Sequence, residues 1–113
     1  MPDFELRSYI DEQGSTPFEA WILDLDSQAQ AKVTIALSRL ERGNVSNVEA
    51  IGDGVSELKL NWGPGYRVYF GQDGRAIVIL LCGGTKKRQS RDIATAKARW
   101  ADYKARKGRK TRE

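Results

Sequence analysis

The sequence predicts an α+β fold from three observations. Apolar residues recur at helical spacing between Phe18 and Leu40, the period changes to two from Val55 to Cys82, and helical spacing returns from Ser90 onward. At 113 residues, 40% of them apolar, the chain fits one compact domain with a modest core, anchored by three Trp, three Phe and four Tyr.

Each element has its own signal. Phe4 to Ile10 reads as a first strand, with Phe4 and Leu6 alternating with charged residues. Thr16 before Pro17 predicts an N-cap followed by proline at the first helical position. Phe18, Trp21, Ile22 and Leu25 then form one face of a short helix. Asp26 or Ser27 caps a second helix, which carries Ala29, Val33, Ala36, Leu37 and Leu40 inward and ends at Gly43. The tight connection predicts a helical hairpin. Residues 44–54 are weakly patterned and read as a loop.

From Val55 the chain reads as an antiparallel sheet. A three-residue loop, Trp62-Gly63-Pro64, pairs Lys59 with Arg67 and Glu57 with Tyr69 and keeps the two faces distinct. Asp73-Gly74 predicts a two-residue turn that sets Phe70 opposite Ile77 and Val68 opposite Ile79. In that register Leu58, Leu60, Tyr66, Val68, Phe70, Ile77, Ile79 and Leu81 face the helical hairpin. The other face holds Glu57, Lys59, Arg67, Tyr69, Val78, Leu80 and Cys82. Gly83 to Arg88 reads as a basic loop. A final helix, from Ser90 to about Ala105, places Ile93, Ala96, Trp100 and Tyr103 on one stripe. The predicted organisation is a single domain over 1–106 and a basic, disordered tail over 107–113.

Charge narrows the function. Residues 1–53 carry 4 Lys/Arg against 10 Asp/Glu, and residues 54–113 carry 15 against 5, within a net charge of +4. A basic half predicts a polyanionic partner, nucleic acid first, and a plain nucleic-acid-binding module without toxicity is an alternative reading of it. With no histidine and one cysteine, the chain lacks the usual zinc ligands and the usual neutral-pH proton carrier, so neither a metal nor another cofactor is expected. The single Cys82 fits a reducing, cytoplasmic setting and a buried strand position. No apolar run approaches a membrane span, so no membrane partner is expected.

Three stretches carry a resemblance: Gly63-Pro64-Gly65-Tyr66-Arg67-Val68-Tyr69-Phe70-Gly71, then Leu80-Leu81-Cys82-Gly83-Gly84-Thr85-Lys86-Lys87, then Asp92-Ile93, Ala96-Lys97 and Trp100. Together they resemble the phage-derived Gp49-like, HigB-type addiction module killer toxins of the RelE/ParE superfamily. The resemblance covers Phe4 to about Lys104. It implies a RelE-like fold with the N-terminal helices packed on a small antiparallel sheet, and a cognate helix-turn-helix antitoxin. It further implies a toxin that cuts mRNA in the 70S ribosomal A site, or, as in ParE-like relatives, one that poisons DNA gyrase without being an enzyme. The family's central-strand arginine corresponds to Arg67 and its basic loop to Lys86, Lys87 and Arg88. Several relatives place a Tyr, or an Asp with a His, just after that loop; here the stretch is Ser90-Arg91-Asp92-Ile93, with neither Tyr nor His.

The residues can be matched to the cleavage that the resemblance implies. Metal-free RNA cleavage by the 2′-hydroxyl needs a base, an acid and a cation for the phosphorane. The Arg67 guanidinium suits the last task, with an ion pair to Glu57 as the plain structural alternative. Lys59 beside Arg67, and Lys87 in the loop, are expected to be crowded by other cations into giving up a proton. Tyr69 is a further proton donor or stacking residue, with a packed sheet tyrosine as its alternative. Lys86, Arg88, Arg91, Lys107, Arg109 and Lys110 are expected to bind RNA phosphates.

Overall fold

The computed structural model describes the backbone of residues 3–112 and the side chains of residues 3–108. Its elements run β1 (Glu5–Ser8), α1 (Pro17–Leu23), α2 (Ser27–Glu41), β2 (Val48–Gly52), β3 (Val55–Lys59), β4 (Tyr66–Asp73), β5 (Ile77–Thr85), a 3-10 turn (Lys86–Arg88) and α3 (Gln89–Arg112). The five strands form one sheet in the order β1-β5-β4-β3-β2. Helices α1 and α2 pack on one face and α3 on the other, giving the α+β architecture the sequence predicts.

Local signals explain most boundaries. The Asp26 side chain accepts from the Ala29 N–H at 2.8 Å and starts α2, and Gly43, at φ +89°, follows its end. Thr16 precedes α1 without a side-chain cap, so only its backbone carbonyl, which accepts from Ala20, serves the helix. The first core joins Phe18, Ala29, Val33 and Leu40 to Leu58, Val68 and Phe70, and the second joins Ala96 and Trp100 to Val55, Tyr69 and Leu81. Trp100 is 5% exposed, a burial that stabilises by about 2–3 kcal/mol.

The sheet departs from expectation in four places. β1 runs parallel to β5, pairing Glu5 with Ile77 and Ser8 with Leu80, so the sheet is mixed. Residues 48–52, read as loop, add an edge strand, β2, whose Val48 and Ile51 are half-buried. The β3–β4 register is as expected, with Lys59 opposite Arg67 and Glu57 opposite Tyr69. The β4–β5 register is not: Asp73 pairs with Ile77 and Phe70 with Leu80, across a three-residue connection, Gly74-Arg75-Ala76. That change turns β5 over. Val78 and Leu80 join the core under α1 and α2, while Ile77, Ile79 and Leu81 join the one under α3. A further shift between Tyr69 and Phe70 then pairs Tyr69 with Cys82 and Arg67 with Gly84.

The C-terminal part also differs. β5 continues to Thr85, the basic loop is a 3-10 turn, and α3 extends to Arg112 through residues predicted as a disordered tail.

Candidate nucleic-acid interface

The pairing of β3 with β4 brings Glu57, Lys59, Arg67 and Tyr69 together on the α3 side of the sheet. Glu57 is 2% exposed, and a buried carboxylate must be paired and hydrogen-bonded. Arg67 Nη1 donates to its Oε1 at 3.3 Å and Gln89 Nε2 to its Oε2 at 3.1 Å. Lys59 Nζ lies 3.8 Å from Glu57 and 2.8 Å from Glu49. The Arg67 side chain is 12% exposed, so the guanidinium is largely drawn inward. Gln89 carries no signal of its own in the sequence. Its position as the first residue of α3, beside the polar end of the sheet, follows only from the basic loop being a turn.

The surroundings of two proton-transfer candidates bear on the roles suggested for them. Lys59 is not crowded by cations into losing its proton: its hydrogen bond and charge interaction with Glu49 raise its pKa, with Glu57 adding to the effect and Arg67 opposing it. Tyr69 is fully buried, and burial, then the charges of Glu57 and Asp92, push its hydroxyl far above the ordinary tyrosine range. Cys82 occupies the expected buried strand position. Its thiol donates to the Asp92 carbonyl at 3.4 Å and is pushed up to about 12 by burial.

The two glycines after Cys82 serve close packing. A Cβ at Gly83 would lie 2.3 Å from the Trp21 ring, and one at Gly84 would lie 1.9 Å from Asp92 Oδ2. Burial raises the Asp92 carboxyl pKa, against the charges of Arg88, Arg91 and Arg99. Among the described residues, the buried polar side-chain atoms without a hydrogen-bond partner are Asp92 Oδ2, Tyr69 Oη and Arg67 Nε. All three belong to the α3 side of this part of the sheet.

The cations expected to bind phosphate divide into two places. Lys86, Lys87 and Arg88 occupy the 3-10 turn and Arg91 the first turn of α3, all exposed. Lys86 N–H donates to the Gly65 carbonyl at 2.9 Å, and its side chain packs over Gly65, so the turn is tied to the β3–β4 connection two residues from Arg67. Lys107 sits elsewhere. Its ammonium donates to both Asp73 oxygens, at 2.5 and 2.7 Å, beyond the other end of β4. Six residues of strand separate Asp73 from Arg67, roughly 20 Å. Arg109 and Lys110 fall in the last turns of α3, and their side chains lie outside the described residues. Among the described residues no three His, Cys, Asp or Glu side chains form a group able to hold a metal, and no helix is long and apolar enough to cross a membrane.

A five-stranded sheet between an N-terminal helix pair and a C-terminal helix, with exposed Lys86, Lys87 and Arg88 on the turn that leads into the last helix, defines a small α+β protein of RelE-like architecture. The family model for phage-derived Gp49-like proteins matches residues 20–101, and the chain belongs to that family, whose members are toxin-like proteins of the RelE/HigB type. An uncharacterized protein of Haemophilus influenzae is 41% identical over 81 residues, which span 71% of this chain and 82% of that protein.

Proposed function

We propose that this protein is the toxin of a type II toxin–antitoxin pair and acts in the cytoplasm as a metal-independent, ribosome-dependent mRNA endoribonuclease. The observation that carries the reading is the placement of Lys86, Lys87 and Arg88 on a turn anchored to Gly65, two residues from Arg67 in the chain, with Arg91 following in the first turn of α3. Exposed cations beside a guanidinium held by Glu57 suit a scissile phosphate: the row draws in the backbone and Arg67 meets charge growing on the phosphorane. Lys87 is the group we assign to proton transfer. The A site supplies positioning, which relaxes the demand on the protein's own acid and base. Membership of the Gp49-like family supports a helix-turn-helix antitoxin as partner.

One observation favours a non-enzymatic reading, a ParE-like poison of DNA gyrase. Tyr69 is buried and Lys59 is engaged by Glu49, which leaves few of the expected proton-transfer groups available at the surface. A bacterial strain expressing the protein from an inducible promoter separates the two. New RNA 5′ ends within translated messages, absent in the Lys86→Gln/Lys87→Gln variant, are expected. Growth arrest with unchanged RNA ends and trapped gyrase–DNA complexes would overturn the ribonuclease reading.

A further inference from the structure

A second basic feature is centred on α2, within the acidic half of the sequence, and is completed by the end of β3. A groove of about 340 Å³ opens between α2, the α2–β2 connection and the end of β3. Its floor is apolar, with Leu58 and Leu60, and its walls carry Lys32, Arg39 and Lys59. Trp62, Ile35, Ala36 and asparagine and serine side chains complete the lining, and no Asp or Glu among the described residues does. Lys32 and Arg39 are seven residues apart on one stripe of α2, roughly 10 Å. Ile35 lies between them and is 50% exposed, an apolar side chain on a helix that otherwise buries its apolar face. Val45, 52% exposed, stands on the neighbouring connection. Glu49, on β2, is the nearby carboxylate and is engaged with Lys59.

We infer that this groove is a docking site for an acidic amphipathic segment of a protein partner, its apolar side chains set against Ile35, Leu58 and Leu60 and its carboxylates against Lys32 and Arg39. The inference rests on the proposed toxin reading for the partner's role, since a neutralising protein is the partner such a toxin requires. The occupant's chemistry comes from the groove itself. An apolar floor between cations complements a segment that alternates apolar and acidic residues. A nucleic-acid strand fits it less well. The Trp62 ring is already stacked on Tyr66 at 6.0 Å and covered by the Lys32 ammonium at 5.6 Å, so a base would have to displace one of them. Phosphates would also lie against Ile35 and Val45. The balance of charge over the first 53 residues conceals the site, because the acids there stand mainly on β1, α1 and their connections.

The test is a selection of peptides from a random display library on the purified protein, with a counter-selection on the Lys32→Glu/Arg39→Glu variant. Both substituted residues are exposed, and matching amide NMR spectra verify that the variant is folded. The expected peptides carry two or more Asp or Glu beside apolar residues, shift the amide signals of Ile35, Ala36 and Asn61, and bind the variant about tenfold or more weakly. Neutral or basic winners, no saturable binding, or binding indifferent to the double substitution would overturn the proposal. So would a short oligouridine that displaces the peptides and loses affinity for the variant, which would make the groove a nucleic-acid site. The selection requires no toxicity, so its outcome is independent of growth arrest and of RNA cleavage.

Discussion

Glu57, 2% exposed on β3, accepts a hydrogen bond from Arg67 on β4 at 3.3 Å, and the pair is therefore structural as well as a candidate for phosphate binding. Removing the arginine alone leaves a buried carboxylate without its strongest partner. Arg67→Ala is expected to lose toxicity and also about 3 kcal/mol of stability. The double variant Glu57→Leu/Arg67→Met is expected to recover most of that stability and none of the toxicity. Urea unfolding of the four proteins of the cycle checks this, and strictly additive effects would show that the two residues are not coupled.

Gly71 lies against the face of Trp100, where a Cβ would come within 2.4 Å of the ring. Both residues are buried, and the ring has no flexible end that could swing away. Gly71→Ala is expected to cost about 1–3 kcal/mol through overpacking, and Gly71→Ala/Trp100→Leu less than the sum of its parts. Thermal unfolding measures both. An unchanged melting temperature for Gly71→Ala would contradict the close packing of α3 on β4.

Asp92 should impose a pH dependence of known sign. Burial holds its carboxyl above the ordinary aspartate value of 3.8 despite three nearby arginines. A raised folded-state pKa means that the folded protein binds a proton more tightly than the unfolded chain. Stability is then full below 3.8 and is lost as pH rises through the folded value. Asp92→Asn removes that loss, so the variant is expected to gain on the parent as pH rises from about 4 to 7 and to match its pH trend below. A difference in stability that stays constant across this range would remove Asp92 from the account.

Lys86, Lys87 and Arg88 are exposed, so replacing all three with Gln should leave thermal unfolding nearly unchanged. Affinity for single-stranded RNA should fall, and the slope of log affinity against log salt should shrink by about 0.7 for each phosphate that is no longer neutralised. Truncation from Lys107 is the comparison: it also removes the pair with Asp73 and is expected to lower stability along with the slope. An unchanged salt slope in the triple variant would place the RNA elsewhere.

Much of this molecule was legible in the sequence, and the exceptions share a cause. The β3–β4 register could be read because Glu57, Lys59 and Arg67 alternate cleanly with Leu58, Leu60 and Val68, so only one pairing separates polar from apolar. β5 runs apolar from Ile77 to Cys82, with a helix on each face of the sheet, and its pattern is equally satisfied by either register. There the turn decided, and Asp73-Gly74 suggested a shorter connection than the one formed. β2 escaped because only Val48 and Ile51 are even half-buried and a bulge breaks its alternation. At the site, the sequence located the cations of Lys86 to Arg91 but not their isolation from Lys107, which depends on the direction of α3. The enclosure of Tyr69 and the partnership of Glu57 with Gln89 arise from packing across elements, which no local pattern records.

The parallel pairing of β1 with β5 has a consequence for synthesis. Glu5 must wait for Ile77 before it has a strand to lie against, and the basic turn and α3 follow later still. A chain emerging from the ribosome from its first residue onward therefore cannot complete its sheet until most of its length is free, because a pairing this distant in sequence closes late. The helix pair emerges first and can present the flank of α2 while the turn of Lys86 to Arg88 is still unformed. On the proposed toxin reading, a partner that recognised that flank would reach the nascent chain before it became dangerous, so the order of translation itself would give neutralisation a head start over toxicity.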